Sequence, residues 1–104
     1  MARSYTPLGE DELAEALAGL PGWGVESGQL TARWTVPRAG LPAVYREINE
    51  AEDAADHHAT VTVLHTTLTV ATNTHAAGGA ITAHDIALAR AVSGIAGSHG
   101  ATAA

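Results

Sequence analysis

The 104-residue chain contains no cysteine and no lysine, and these absences exclude several classes of protein. Without cysteine there can be no disulfide, no thiolate nucleophile and no thiolate metal site. The five basic residues are all arginines scattered along the chain, and the formal net charge is −6. Nucleic-acid binding depends on a basic patch that replaces the counterions of the phosphates, so we expect no nucleic-acid partner.

Long hydrophobic runs are also missing. No apolar stretch approaches the roughly 18 residues that a membrane-spanning helix needs. An acidic surface is repelled by anionic lipids, so we expect no membrane partner. The N-terminal stretch “MARSYTPLGEDELAEALAGL” is too acidic and too interrupted for a signal peptide. We therefore expect a cytoplasmic protein.

Aromatic side chains are scarce, with two Trp, two Tyr and no Phe. Hydrophobic residues still make up 46% of the chain, which is typical of a folded domain. The core must be built mainly from Ala, Val, Leu and Ile, which bury a modest area per residue. Small domains of this kind often gain stability by association, so we expect a homodimer or a homotetramer.

The first half of the chain predicts a helix, a β-hairpin and a second, longer helix. The stretch “GEDELAEALAGL” carries leucines at helical spacing and ends at a Pro-Gly pair. Alternating apolar residues between Trp23 and Val36 predict two strands joined by a glycine-containing turn. Residues 41–58 carry an apolar stripe at i, i+3, i+4 and i+7 that includes Tyr45, so this helix should end near His57.

The second half predicts another hairpin and a last helix. The β-branched stretch “TVTVLHTTLTVATNTH” predicts two strands with a tight turn near His65 and Thr66. The last helix has Thr82 as its N-cap and ends at Gly97. The tail from about residue 98 is expected to be mobile.

The resulting order of elements is α-β-β-α-β-β-α. Short hairpin connections make neighbouring strands antiparallel. The economical architecture is an α+β, two-layer fold, with a four-stranded antiparallel sheet and three helices on one face. We expect residues 1–104 to form a single domain. The other sheet face, or a sheet edge, is left for another subunit.

Four of the six histidines lie between Asp56 and His75. His57 and His58 are adjacent where the second helix runs into the third strand, and adjacent helical residues point about 100° apart. Both can face one site only where the chain leaves helical geometry, which this junction provides. His75 ends the fourth strand, a position that commonly carries function. Asp53, four residues before His57, can orient that imidazole from the helix face.

Interpretations without a function are also open. A histidine at a helix C-terminus is favoured by the helix dipole, and a histidine in a turn can be incidental. We prefer such interpretations for His65 in the hairpin turn, His84 on the solvent side of the last helix and His99 in the tail.

Three imidazoles without a partner nucleophile suggest either acid–base catalysis near neutral pH or a three-histidine zinc site. Their spacing does not decide between the two. The chain has no HExxH motif, and adjacent histidines are an uncommon way to give one metal two ligands. We therefore favour catalysis without a metal.

The combination resembles the pterin-4a-carbinolamine dehydratase family over nearly the whole chain. The shared features are Gly22-Trp23, “LTARW”, a long helix ending in a His-His pair, Thr74-His75, and “AAGG” followed by “IT” and “DI”. The resemblance implies that His57, His58 and His75 are catalytic. It also implies that Asp53 and Thr74 bind or orient the substrate.

The sequence departs from the family at several positions. Ala59 and Thr60 stand where the family usually has proline and then an acidic residue, and Val61 and His65 replace aromatic residues. The glycine-rich loop is one residue longer, with “GGAIT” in place of “GGLT”. Because these changes can reshape the pterin pocket, the preferred substrate can differ from a biopterin.

The resemblance implies a dehydratase that converts a 4a-hydroxytetrahydropterin to a quinonoid dihydropterin, in the recycling of the pterin cofactor. An acid must protonate the leaving hydroxyl and a base must accept the N5 proton, and no cofactor or metal is required. We assign His58 and His75 to proton transfer and His57 to orientation or charge stabilisation. Two alternatives stay open: a non-catalytic binding or scaffold module on the same fold, and a related dehydratase or isomerase acting on a different ring.

Overall fold

The computed structural model describes residues 5–104 and shows an α+β fold of three α-helices and an antiparallel sheet. The helices are α1 Glu10–Ala18, α2 Leu41–Ala55 and α3 Ala83–Ser98. The strands are β1 Gly24–Glu26, β2 Gln29–Thr35, β3 Thr60–Leu64, β4 Thr67–Thr72 and β5 Thr102–Ala103. Single 3₁₀ turns occupy Arg38–Gly40 and His75–Ala77. The predicted fold class and the predicted order of helices and strands are confirmed.

The strands pair antiparallel in the order β1-β2-β4-β3. β2 and β4 form the centre of the sheet, and β3 lies at its edge. The turn between β3 and β4 is the predicted His65-Thr66 pair, with His65 in a left-handed conformation (φ 55°). At its other end, β3 begins two residues after His58. The edge strand therefore leads directly away from the histidine pair.

β5 adds a strand in the segment for which the sequence predicts mobility. It pairs with Trp34 and Thr35 at the end of β2, and the Ala104 N–H donates to the Arg33 carbonyl (3.1 Å). This part of the β2 edge is available to β5 because β1 pairs only with residues 29–31. A two-residue strand has no hydrophobic alternation of its own, so the sequence pattern could not predict it.

The core lies between the sheet and the helices. On β4, Leu68, Val70 and Thr72 are each at most 1% exposed, whereas the alternate residues are partly buried. The helices contribute apolar residues of their buried faces: Leu41, Val44 and Ile48 from α2, and Ile86, Leu88, Ala89 and Val92 from α3. Tyr45 also belongs to the predicted stripe but is 49% exposed, because the buried face of α2 is narrower than the stripe.

The helices are short relative to a lipid bilayer, which needs about 20 apolar residues to span. α3, the longest, has 16 residues, and α2 has 15. Over residues 5–104, no helix has both the length and the apolar character needed to cross a membrane.

Candidate active site

The turn that ends α2 places the two adjacent histidines outside the helix. Asp56 follows the helix in a left-handed conformation (φ 50°, ψ 45°). Its N–H donates to the Asp53 carbonyl (3.2 Å), and the N–H of His57 donates to the Glu52 carbonyl (3.1 Å). These two bonds form a Schellman C-cap, which satisfies carbonyls of the last turn and redirects the chain. Because the turn breaks helical geometry, His57 and His58 can face one site.

His57 is the buried member of the pair, with 8% of its surface exposed. Its Nε2 lies 2.6 Å from Oδ1 of Asp85, the third residue of α3. The hydroxyl oxygen of Thr72, at the end of β4, lies 3.3 Å from the same nitrogen. The imidazole is therefore held between the sheet and α3.

Asp85 is completely buried, and four donors surround its carboxylate. Oδ1 accepts from His57 and from the Thr72 hydroxyl (2.6 Å). Oδ2 accepts from the Thr74 hydroxyl (2.7 Å) and from the Thr82 N–H (2.9 Å). Burial raises the pKa of Asp85, but the four hydrogen bonds together lower it more, so the net pKa lies below the ordinary value. Asp85 is therefore ionised at neutral pH.

The ionised Asp85 fixes which nitrogen of the facing ring carries a proton. A carboxylate can only accept hydrogen bonds, so Nε2 of His57 carries the proton between them. Nδ1 then holds the lone pair of a neutral ring, or the second proton of an imidazolium that the carboxylate stabilises. This pairing suits a group that orients a substrate or stabilises positive charge.

His58 is the exposed member of the pair. Its Nε2 lies 3.2 Å from Oδ1 of Asp53, and the two side chains are 59% and 69% exposed. The sequence suggested Asp53 as the partner of His57, and the structure corrects this pairing. The turn at Asp56 points His57 inward to α3, where Asp85 is its carboxylate partner, and leaves His58 beside Asp53.

His75 lies three residues beyond the end of β4, at the start of a 3₁₀ turn, and not in the strand itself. Hydrogen bonds of Thr74 hold this turn: its N–H donates to the Ala80 carbonyl (2.9 Å), and its carbonyl accepts from the Gly79 N–H (3.0 Å). The His75 side chain is exposed. Its position thus depends on the backbone of the turn and not on burial of the ring.

Thr74, predicted to bind or orient the substrate, is 1% exposed. Its hydroxyl donates to Asp85, and so it accepts from the Thr82 hydroxyl at 2.7 Å. Because both contacts go to protein groups, the hydroxyl influences the site through Asp85. It ties the end of the β4 segment to the N-terminus of α3.

The three predicted catalytic histidines line one cleft of about 360 Å³. This volume is within the range of sites for small molecules. The cleft is lined by Tyr5, Asp56, His57, His58, Asn73, Thr74, His75 and Ala76. A larger groove of about 440 Å³ lies between α1 and α3, but no histidine lines it. The three predicted catalytic histidines therefore share the smaller cleft.

The other histidines lie where the sequence predicts them, except His84. Its ring is half-buried, with its centroid 6.0 Å from that of His57 and 5.2 Å from that of Tyr5. The first turn of α3 faces the N-terminal segment, so His84 packs beside the cleft and not in solvent. His65 lies at the far end of β3, and His99 follows the end of α3.

Within residues 5–104, no group of three or more His, Asp or Glu side chains is arranged to hold a metal ion. Nε2 of His57 and Nε2 of His58 each face a different carboxylate and not a common point. The arrangement is one that can transfer protons.

Asp85 and Thr72 are the neighbours of His57 that the sequence analysis missed. One local signal was present, since Thr82 followed three residues later by an acidic residue is typical of a capping box. The side chain of Asp85 does accept from the Thr82 N–H. No local pattern shows that the same carboxylate reaches His57, 28 residues away in the chain.

The chain is similar in sequence to a known family and to several curated proteins. A sequence model described as pterin 4 alpha carbinolamine dehydratase matches residues 6–95. A protein of Streptomyces coelicolor is 38% identical over 96 residues, which cover 91% of this chain and 95% of the relative. A protein of Mycobacteroides abscessus is 39% identical over 87 residues, which cover 82% of this chain and 90% of the relative. Both are provisionally named pterin-4-alpha-carbinolamine dehydratase.

A solved structure has the same fold. A Brucella melitensis protein, described as a transcriptional coactivator/pterin dehydratase, matches with a TM-score of 0.81 and 26% identity. The match covers 88% of this chain and 99% of that chain. Sequence and structure comparisons therefore point to the same group of proteins.

Proposed function

Because this chain belongs to the pterin 4 alpha carbinolamine dehydratase family, we propose that it removes water from a 4a-hydroxytetrahydropterin to give the quinonoid dihydropterin. In this proposal the reaction recycles the cofactor of a pterin-dependent hydroxylase. The observation that carries it is the cleft that three imidazoles line, one of them held by a buried, ionised carboxylate.

The proposed dehydration breaks two bonds, one between C4a and its hydroxyl oxygen and one between N5 and its hydrogen. The electron pair of the N5–H bond forms the C4a=N5 double bond, and the hydroxyl leaves as water after it is protonated. No electrons are exchanged with a cofactor. Hydroxide is a poor leaving group, so an acid is needed as well as a base, and each contributes roughly 10²–10⁴ in rate.

The environments of the three imidazoles support a division of roles. His58 and His75 transfer protons, because their exposed rings line the cleft and neither has a buried partner. Asp53 orients the His58 ring from α2. His57, fixed by Asp85, orients the substrate and stabilises positive charge as it develops. None of these steps requires a metal.

A scaffold role on the same fold is the alternative, and one observation favours it. Ala59, Thr60 and Val61 replace residues that the family usually carries after the histidine pair. The Brucella relative is described both as a transcriptional coactivator and as a pterin dehydratase. The retained imidazoles favour the reaction, since a scaffold has no physical need for three histidines at the rim of one cleft.

The test supplies a 4a-hydroxytetrahydropterin, generated in situ by a pterin-dependent hydroxylase, and follows its absorbance with and without purified protein. We expect faster, saturable decay to the quinonoid product, unchanged by extensive chelation. A decay that stays at the spontaneous rate would favour the scaffold role or a different ring. Activity that chelation abolishes and stoichiometric zinc restores would contradict the metal-free mechanism.

We further propose that the chain works as a homodimer or a homotetramer. The edge strand β3 ends in Val63 and Leu64, which are 47% and 76% exposed. Unpaired backbone groups and apolar side chains on an edge strand favour pairing with another chain. A second copy of the chain at this edge would pair with the backbone groups and cover the apolar side chains.

A further inference from the structure

Glu52 is an acidic residue on the buried side of α2. It is 5% exposed, whereas the neighbouring Glu50 and Asp53 are exposed. Removing a carboxyl group from water is costly unless hydrogen bonds replace the lost hydration. A buried carboxyl on an otherwise amphipathic helix therefore calls for a physical explanation.

The contacts of Glu52 fall on both sides of His58. Its side-chain Oε2 accepts from the Ala59 N–H at 2.7 Å. Its main-chain carbonyl accepts from the His57 N–H at 3.1 Å. One residue of α2 thus holds the residue before His58 and the residue after it.

The side chain of His58 does not hold its own position. The ring is 59% exposed, and the partner Asp53 is 69% exposed. Exposed pairs of this kind contribute little energy, because water competes for both partners. The placement of the His58 imidazole therefore depends on the backbone that carries it.

The Ala59 N–H has no partner in the sheet. The ladder between β3 and β4 starts at Thr60, opposite Ala71, and β3 is an edge strand. Ala59 is partly buried, so leaving its N–H without an acceptor would be destabilising. The Glu52 carboxyl supplies that acceptor and pulls the segment against the end of α2.

We propose that Glu52 is a positioning residue that fixes the backbone on either side of His58 and thereby places its imidazole for proton transfer. This inference rests on the proposed dehydration. Glu52 lies outside the cleft lining and touches no reacting atom. It acts through the two backbone N–H groups, which suits the need to hold a catalytic group within about 0.5 Å of its productive place.

The experiment compares four variants of the full-length chain. Glu52→Gln keeps a side-chain oxygen that can accept from Ala59, and Glu52→Met removes it at similar volume. Ala59→Pro removes the N–H itself and fixes φ before the strand. The fourth variant combines Glu52→Met with Ala59→Pro. Glu50→Gln, the same chemical change at an exposed position of α2, is the matched control.

Four quantities are measured for each variant: kcat and KM for the 4a-hydroxytetrahydropterin, the melting temperature, and the imidazole NMR signals of His58. All rates are taken well below the lowest melting temperature. We expect Glu52→Met to lower kcat by about tenfold or more with a smaller change in KM, since small misplacements of catalytic groups are costly. Its His58 signals should broaden or split. Glu52→Gln and Glu50→Gln should stay within a few-fold of wild type.

The double variant distinguishes positioning from general destabilisation. Ala59→Pro alone leaves the buried Glu52 without its donor and should lower the melting temperature. In the double variant the proline fixes φ at residue 59 and no N–H is left without an acceptor, so kcat and the His58 signals should recover relative to Glu52→Met. This non-additivity is the expected signature of a direct pair.

Two results would overturn the inference. One is a Glu52→Met protein with wild-type kcat and unchanged His58 signals. The other is a double variant in which the effects of the two single variants on kcat and on the melting temperature simply add. If the wild type proves inactive on the pterin, the proposed reaction fails, and the His58 signals still decide whether Glu52 positions that residue.

Discussion

At the scale of single residues, burial separates two adjacent histidines. His57 is 8% exposed and faces a buried carboxylate, whereas His58 has an exposed ring beside the exposed Asp53. Environments that differ this much suit neighbouring groups to different tasks. The buried ring can hold a charge in a fixed place, and the exposed ring can exchange protons with a bound molecule.

His75→Ala should lower the dehydration rate by roughly 10²-fold or more, the usual worth of a positioned acid or base. Folding should barely change, because the side chain is exposed. The measurement is the initial rate on a 4a-hydroxytetrahydropterin, with thermal melts alongside. His65→Ala, at the far end of β3, is the control and should retain full activity.

Combining His75→Ala with His58→Ala sharpens that test. Groups that act on one transition state are not additive, so the double variant should lose far less than the product of the single effects. An active, well-folded His75→Ala protein would remove this residue from the site. If the rate losses of the two single variants multiply in the double variant, the two histidines act in separate steps.

Asp85 makes the free energy of unfolding depend on pH in the acid range. Its pKa in the folded protein lies below the ordinary 3.8, because the hydrogen bonds to its carboxylate outweigh its burial. The unfolded chain therefore takes up the proton at a higher pH than the folded chain does. The resulting stabilisation is complete above about pH 5 and falls as the pH drops through 4 toward the folded-state pKa.

Asp85→Asn should remove that contribution. Losing a charged acceptor in a buried network costs about 2 kcal/mol near neutral pH. The decline in the free energy of unfolding between about pH 5 and pH 2 should also become shallower. Denaturant unfolding across this range provides the measurement, with the exposed Asp11→Asn as control. A variant with the wild-type slope would show that Asp85 does not set the acid sensitivity.

At the scale of secondary structure elements, the N-terminus of α3 is both a helix cap and a support for the site. The Thr82 hydroxyl accepts from the His84 N–H (3.2 Å) and contacts the Thr74 hydroxyl. The backbone N–H of Thr82 donates to the Asp85 carboxylate. Helix capping and the orientation of Asp85 are therefore coupled through one residue.

Thr82→Ala should destabilise the protein by about 1 kcal/mol or somewhat more, the typical cost of losing an N-cap hydroxyl. Thr82→Ser keeps the hydroxyl and should recover most of the loss. The measurement is the midpoint of denaturant unfolding at neutral pH. Equal midpoints for the Ala and Ser variants would show that the hydroxyl contributes no capping energy.

The sequence predicted those features that depend on residues close together in the chain. The turn at His65 and the cap at Thr82 follow from residue types at known spacings, and so does the junction that carries His57. The carboxylate that holds His57 could not be predicted, because it is reached only after α3 packs against the sheet. The same reason applies to the Tyr5 ring beside His84 and to the tail strand β5, whose partners are distant in the chain.

At the scale of the whole molecule, the sheet has one edge, the outer side of β3, with which no other element of residues 5–104 pairs. β1 and β5 share the outer side of β2, whereas β3 has a neighbour only on the β4 side. β3 also follows directly from the histidine pair. A second chain at this edge would therefore restrain the strand next to the site as well as cover apolar surface.

Leu64→Asp should shift the protein from an oligomer toward the monomer. The side chain is 76% exposed, so the substitution should not affect folding of one chain, but a buried, unpaired carboxylate in an interface is strongly unfavourable. Val25→Asp, on the opposite edge strand and 45% exposed, is the matched control and should leave the assembly intact. Sedimentation equilibrium at micromolar concentration measures both, with circular dichroism to check folding. A wild-type chain that sediments as a monomer would contradict the proposed association, and a Leu64→Asp protein that keeps its assembly would move the interface away from β3.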